Sequence, residues 1–201
     1  MHLAADILEN LRSRPRLFDL LHALGLVAPF SQTREDELQS LERWAKGRVT
    51  AVEIGTFMGV SAARLAAVLG AGGKLYCVDP YGDGDPVKAI FLRHMRRKEL
   101  TDKVVHIGMR IVEAGSFLPS QWDFAFVDGD HSYEGIKVDW SVVRGRIASG
   151  GIAAFHDTLV PEGEPGRDGG AVRFFAEVIA HDRDFEIVDQ VHTLSVVRKL
   201  R

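Results

Sequence analysis

The apolar positions change their spacing once along the chain. Over residues 3–46 they recur at helical intervals: Leu3, Ile7, Leu8 and Leu11 share one face, and Leu17, Leu20, Leu21 and Leu24 another. Gly25 and Pro29 punctuate that stretch, and a further helix is predicted over 34–46 with Leu38, Leu41 and Trp44 or Ala45 inward. From residue 50 onward, short runs that are apolar throughout alternate with helical patterns. Strands are expected at 50–54, 74–78, 104–107, 123–127 and 152–155. Between them fall helices at 61–69, 86–100 and 133–147, with an irregular one at 111–118. A helix over 171–181 follows, then strands at 185–191 and 194–199. Strands apolar on both faces and separated by helices specify a parallel sheet covered on both sides. The last two strands are joined too tightly for a helical crossover, so they run antiparallel to each other. The expected architecture is an α/β, doubly wound, mostly parallel seven-stranded sheet with one reversed strand, plus N-terminal helices. Its divisions are a helical extension at 1–47 and a sheet domain at 48–201.

Composition narrows the partners. The chain has 201 residues, 46% hydrophobic and 26% charged, values of an ordinary globular protein. A net charge of −3 offers no basic excess for a nucleic acid or an anionic membrane. No apolar run reaches the ~18 residues of a membrane span, and the charged, amphipathic N-terminus does not read as a signal peptide. The single cysteine, Cys77, excludes an internal disulfide framework and a cysteine-cluster zinc site, and its strand position reads as core. A cytoplasmic protein is expected. Arg93, His94, Arg96, Arg97 and Lys98 read as a solvated basic helix face, and His2, His22, His181 and His192 join no constellation.

Ligands of doubly wound sheets sit outside the carboxyl ends of the strands. After the first strand comes Glu53-Ile-Gly55-Thr-Phe57-Met-Gly59-Val-Ser61. Glycines in such a turn let backbone approach a ligand closely. Phe57 stands where the dinucleotide fingerprint has its middle glycine, so a pyrophosphate cofactor is disfavoured. Glu53 would face a cation or a hydroxyl. After the second strand come Asp79 and Pro80; the carboxylate can accept from ribose hydroxyls, or serve only as a cap or solvated loop acid. After the third come Gly108, Met109 and Arg110, with Met109 suited to a purine face. Taken together these turns resemble those of class I S-adenosylmethionine (SAM) methyltransferases, which have a Rossmann-like fold. The resemblance implies Glu53 near the cofactor's amino-acid end, with Gly55, Phe57 and Gly59 under it and Ser61 on its carboxylate. It also implies Asp79 and Pro80 at the ribose, and Met109 with Arg110 beside the adenine after Gly108.

After the fourth strand comes Asp128-Gly-Asp130-His131-Ser132-Tyr133, and after the fifth His156-Asp157. Neighbouring strand ends would bring Asp128, His156 and Asp157 together as a partial shell for a divalent cation, Mg²⁺ first and Mn²⁺ next. Taken singly, Asp130 or Ser132 also reads as a cap of the next helix. The pattern V-D-G-D-H-S-Y-E-G followed by F-H-D resembles metal-dependent O-methyltransferases, nearer the bacterial branch acting on macrolide sugars than catechol O-methyltransferase. That resemblance implies His131 as general base and Asp128 at both cofactor and metal. His156 departs from it, since an acid is usual there.

The expected activity is therefore SAM-dependent, metal-assisted methylation of a hydroxyl on a small acceptor: a sugar or natural-product diol, or a phenol. Two other readings stay open: a metal-dependent hydrolase or hydroxylase-like enzyme, and a SAM-binding module without turnover. Thr158 to Gly170, and the turn holding Asp83 and Asp85, are lid candidates. The leucine-rich first 46 residues would either cover the acceptor pocket or build a homodimer.

Overall fold

The computed structural model describes residues 13–161 and 169–201. Helices α1 (Pro15–Ala23) and α2 (Glu35–Ala45) precede β1 (Thr50–Ile54), α3 (Val60–Val68), β2 (Lys74–Val78), α4 (Pro86–Arg97) and β3 (Val104–Ile107). A single 3₁₀ turn, Ala114–Ser116, leads to β4 (Trp122–Val127), α5 (Tyr133–Arg146) and β5 (Ile147–Phe155). The chain ends with α6 (Gly170–Glu177), a 3₁₀ turn at Ile179–His181, β6 (Phe185–Val191) and β7 (Leu194–Lys199). All seven strands join one sheet in the order β3-β2-β1-β4-β5-β7-β6. The first five run parallel, and β7 is antiparallel to both its neighbours, β5 and β6. This is the doubly wound sheet with one reversed strand that the pattern specifies.

The central strands are apolar on both faces because both faces are covered. Val52, Ile54, Val127 and Phe155 pack on one side with Trp140, Phe174 and Phe175. Ala51, Phe124 and Phe126 pack on the other with Leu41, Leu65 and Phe91. The β1–β2–β4 register sets Ile54, Val78 and Val127 side by side, so the turns that follow them open at one sheet edge. Cys77 is buried in the core. Among the described residues no helix is long and apolar enough to cross a membrane.

The structure corrects several local expectations. Helix α4 stops at Arg97 rather than near residue 100. Glu99 adopts φ 57° there, and the amides of Glu99 and Leu100 donate back to the carbonyls of Arg96 and Met95. That is a left-handed helix cap with glutamate in the place glycine usually marks, so the sequence carried no stop signal. Strand β5 begins at Ile147, which pairs with Trp122 through an irregular register. Leu17, Leu20 and Leu24 are not an inward face: they stay exposed, while Phe18 and His22 are buried at 2% and 1%. The basic face of α4 explains the rotation. Arg93 Nη1 donates to Asp19 Oδ1 at 2.8 Å, and Arg97 donates to the His22 and Ala23 carbonyls at 2.8 and 2.9 Å. Arg93 and Arg97 therefore dock the end of α1, with His22 in the dock, while Arg96 and Lys98 stay exposed as expected of a solvated face. The predicted helical stretch with Leu3, Ile7, Leu8 and Leu11 lies outside the described residues.

This orientation has a measurable consequence. Phe18→Ala should cost roughly 3 kcal/mol of unfolding free energy, and Leu20→Ala less than about 0.5, by denaturant titration. Equal losses would put the leucines back on the inner face.

Candidate active site

Two glycines shape the turn after β1. Gly55 has φ 83°, and a Cβ built on it would lie 2.1 Å from the Asp128 carbonyl oxygen. Gly59 has φ 81°, and its Cβ would lie 2.6 Å from the Phe91 ring. Only glycine fits either position without displacing backbone or core. Asp79, at the end of β2, holds the turn from the side. Its Oδ2 accepts from the amides of Thr56 and Phe57 at 2.9 and 3.1 Å, and its Oδ1 from Tyr81 N at 3.2 Å. The Tyr81 hydroxyl donates to the Phe57 carbonyl.

Beneath the turn lies Glu53, 0% exposed. Ser61 Oγ donates to its Oε1 at 2.5 Å, and Cys77 lies beside its other oxygen. Burial pushes the Glu53 carboxyl up to about 8, against the Ser61 hydrogen bond and with help from the charge of Asp128. Alternation along β1 points Glu53 at α3, where Ser61 meets it, and Ser61 also borders the smaller of the two pockets above.

Above the turn opens a cleft of about 890 Å³. Gly55, Phe57, Asp79, Pro80, Met109, Arg110 and Asp128 line it, all expected at a cofactor, and so do Ile54, Ile111, Val138 and Asp139. Gly108 is not in its wall. A second pocket of about 170 Å³ runs under Phe30, Ser31 and Gln32 to Gly59, Ser61, Asp128 and His131. Asp128, Gly55 and Phe57 border both spaces. Asp85, a lid candidate, accepts from Val87 N at 2.8 Å and caps α4. Ser132 caps α5 by accepting from Gly135 N at 3.0 Å. Most of the lid candidate after Thr158 lies outside the described residues.

Where β4 and β5 end, four side chains meet. His156 Nδ1 lies 3.1 Å from Asp128 Oδ1 and 3.7 Å from Asp157 Oδ1. His131 Nδ1 lies 3.2 Å from Asp157 Oδ2, and its Nε2 3.5 Å from Asp128 Oδ1. Asp128, His131 and His156 each offer a ligand atom, all within 4.8 Å of one another. The cation shell expected of Asp128, His156 and Asp157 thus gathers around Asp128 and His156, with His131 drawn in and Asp157 braced against both imidazoles.

The sequence reading missed the partner behind His156. Glu37 of α2 is 0% exposed, and its Oε2 lies 3.2 Å from His156 Nε2. Thr193 donates to its Oε1 through N at 2.9 Å and Oγ1 at 2.6 Å, and Arg34 N donates to its Oε2 at 2.8 Å. His192 Nδ1 approaches to 3.4 Å, so His192 does join a constellation. Burial opposes the Glu37 charge, but His156, Thr193 and the Arg34 amide hold its carboxyl well below the usual range. Burial likewise disfavours a charged His156, yet Asp128 and Glu37 push it up to about 10. The available signal was an acid next to Leu38 and four before Leu41, on the inward face of its helix.

A family model described as a methyltransferase domain matches residues 52–158. No curated protein matches the sequence. An O-methyltransferase from Bacillus cereus, solved in complex with SAH, is similar at TM-score 0.66 and 18% identity, over 96% of this chain and 91% of its own. The O-methyltransferase TomG from Streptomyces achromogenes, involved in tomaymycin synthesis and solved with SAM, reaches 0.67 at 18%, covering 90% and 86%. A methyltransferase from Geobacter sulfurreducens reaches 0.64 at 16%, covering 100% and 97%. At these identities the likeness is one of fold.

Burial of Glu53 makes stability depend on pH. The folded protein keeps this proton to about pH 8, whereas the unfolded chain releases it near 4.5. The folded state then binds more protons, so this residue's contribution to stability falls as pH rises across that window. Glu53→Gln should remove that fall, gaining on the order of 4 kcal/mol over the wild type at pH 8 relative to pH 4.5. Parallel urea-unfolding profiles for the two proteins would contradict it.

Proposed function

The chain belongs to the methyltransferase domain family, and from that premise we propose that it is a SAM-dependent O-methyltransferase for a small hydroxylated acceptor, assisted by a divalent cation. The observation that carries the reading is the position of Asp128 between two spaces. One is large enough for a nucleoside cofactor and bordered by an acid at the end of β2. The other is small and ends on an imidazole. The structural relatives crystallised with SAM and SAH support the cofactor.

When bound, SAM supplies a methyl group on a positively charged sulfur, and a cation lowers the pKa of a hydroxyl beside it. The chain's own residues do the remaining work. Asp79 holds the Thr56 and Phe57 amides and so keeps the turn open under the cofactor. Asp157 Oδ2, 3.2 Å from His131 Nδ1, favours the proton on that nitrogen and so leaves Nε2 to take the acceptor's proton at the mouth of the small pocket. Phe30 and Phe57, stacked edge to face, screen that pocket from water.

The donor set fits a cation. His156 Nδ1 is buried and faces Asp128 Oδ1 at 3.1 Å, where a bound cation would take the place of the proton that the two carboxylates otherwise hold on the ring. Glu37 accepts from Nε2 on the far side, which is how a carboxylate orients a metal-binding imidazole. With nitrogen in the set, Mn²⁺, Fe²⁺ or Co²⁺ suit it better than the Mg²⁺ expected first. Grouping His131 with Asp128 and His156 also supports a second role for it, as a third ligand.

One experiment tests both roles. Calorimetry on chelator-treated protein should show micromolar SAM binding and tighter diol binding once Mn²⁺ is added. No SAM binding under any condition would sink the reading. His131→Ala should lower kcat by about 10²–10⁴-fold as a lost base, leaving Mn²⁺ affinity unchanged; a matching loss of Mn²⁺ affinity would make it a ligand instead. Glu37→Ala should weaken Mn²⁺ by about 10- to 100-fold.

A further inference from the structure

Asp139 is a buried acid that the fold does not use. It lies inside α5, away from both ends of the helix, and is 7% exposed. Its neighbours at three and four residues on that helix are Gly135, Ile136, Val142 and Val143, so no cation answers it there. Among the described residues nothing donates a hydrogen bond to it. Only burial, and next to it the charge of Asp130, act on the carboxyl, and they push it up to about 7. An unpartnered carboxyl at this depth costs stability.

The same carboxyl forms part of the wall of the large cleft, among Ile54, Ile111 and Val138. Gly129 leaves it reachable: a Cβ built there would lie 3.3 Å from Asp139 Oδ2 and 3.5 Å from Ile54 Cγ2. Asp79, Asp85, Asp128, Asp130 and Glu134 also line the cleft, but each has a partner within the protein; Asp139, recessed beside Ile54, Ile111 and Val138, is left for a flat heteroaromatic ring bearing a donor on its edge. Pairing the exocyclic amine of adenine with the acid would supply the missing partner. The oxygen accepts from the amine in either protonation state, and the neutral acid can also donate to the neighbouring ring nitrogen, as an asparagine amide does.

We infer that Asp139 is the specificity residue for the base of the cleft's nucleoside ligand, reading the exocyclic amine of adenine from the floor of the cleft. This rests on the proposed nucleoside cofactor. It assigns base recognition to α5, beyond the residues Met109 and Arg110 expected beside the ring.

The test is calorimetric titration of the full chain with S-adenosylhomocysteine and with its 6-deamino purine analogue, in which hydrogen replaces the exocyclic amine. The wild type should bind the deamino compound at least about tenfold more weakly. Asp139→Asn keeps an acceptor and a donor and should hold S-adenosylhomocysteine within a few-fold. Asp139→Leu should weaken S-adenosylhomocysteine by about 10- to 100-fold and bring the two affinities together, without lowering the thermal midpoint. A preference that survives unchanged in Asp139→Leu overturns the inference. So does a wild type that binds both compounds equally, a result that needs no variant to fold. A wild type that binds neither overturns the cofactor reading as well.

Discussion

The approach of Gly55 to Asp128 is the constraint on which the rest of the site depends. Parallel pairing of β1 with β4 puts their ends side by side, and the Asp128 amide donates to the Ile54 carbonyl at 2.8 Å. With any side chain at 55 the first turn and the β4 end would be forced apart. Because they touch, the floor of the large cleft and the carboxylate of the small pocket are one piece of backbone. Loops on a rigid, doubly covered sheet can then hold reacting groups to within fractions of an ångström.

The charged groups are placed from farther away. Glu37 reaches His156 because α2 is anchored on the sheet's far edge: Ser40 and Trp44 donate to Asp189 of β6 at 2.6 and 3.0 Å, and Arg43 pairs with it too. A buried carboxylate with no cation is costly, and here the backbone and hydroxyl of Thr193, the Arg34 amide and the imidazole all answer it. The N-terminal helices are thereby wired into the site chemically, through one acid, as well as by packing.

Acids under the cleft divide by whether the fold satisfies them. Glu53 has Ser61, and its charge is suppressed by depth; it acts as a neutral hydrogen-bonding strut. Asp79 accepts from three backbone amides and keeps acceptor capacity on Oδ1 at the cleft. Asp139 has no hydrogen-bond donor among the described residues, beside Ile54, Ile111 and Val138 in the cleft wall. A polar group that the fold leaves unpaired is where a ligand's polarity belongs.

The sequence by itself determined the sheet. Apolar runs of strand length separated by helical patterns leave few arrangements, and a tight final connection forces one reversal, so most strand bounds were legible to the residue. It also placed Gly55, Asp79, Asp128, His131, His156 and Asp157 after strand ends, and the structure brings them to one edge of the sheet. Only the tertiary structure decided how those groups divide their work. That Ser61 meets Glu53, that Arg93 and Arg97 of α4 dock α1, and that His156 stands on Glu37 depend on contacts between residues 8 to 119 positions apart. Periodicity encodes which face of an element is buried; what waits on the other side of that face is set by packing, and no local pattern records it.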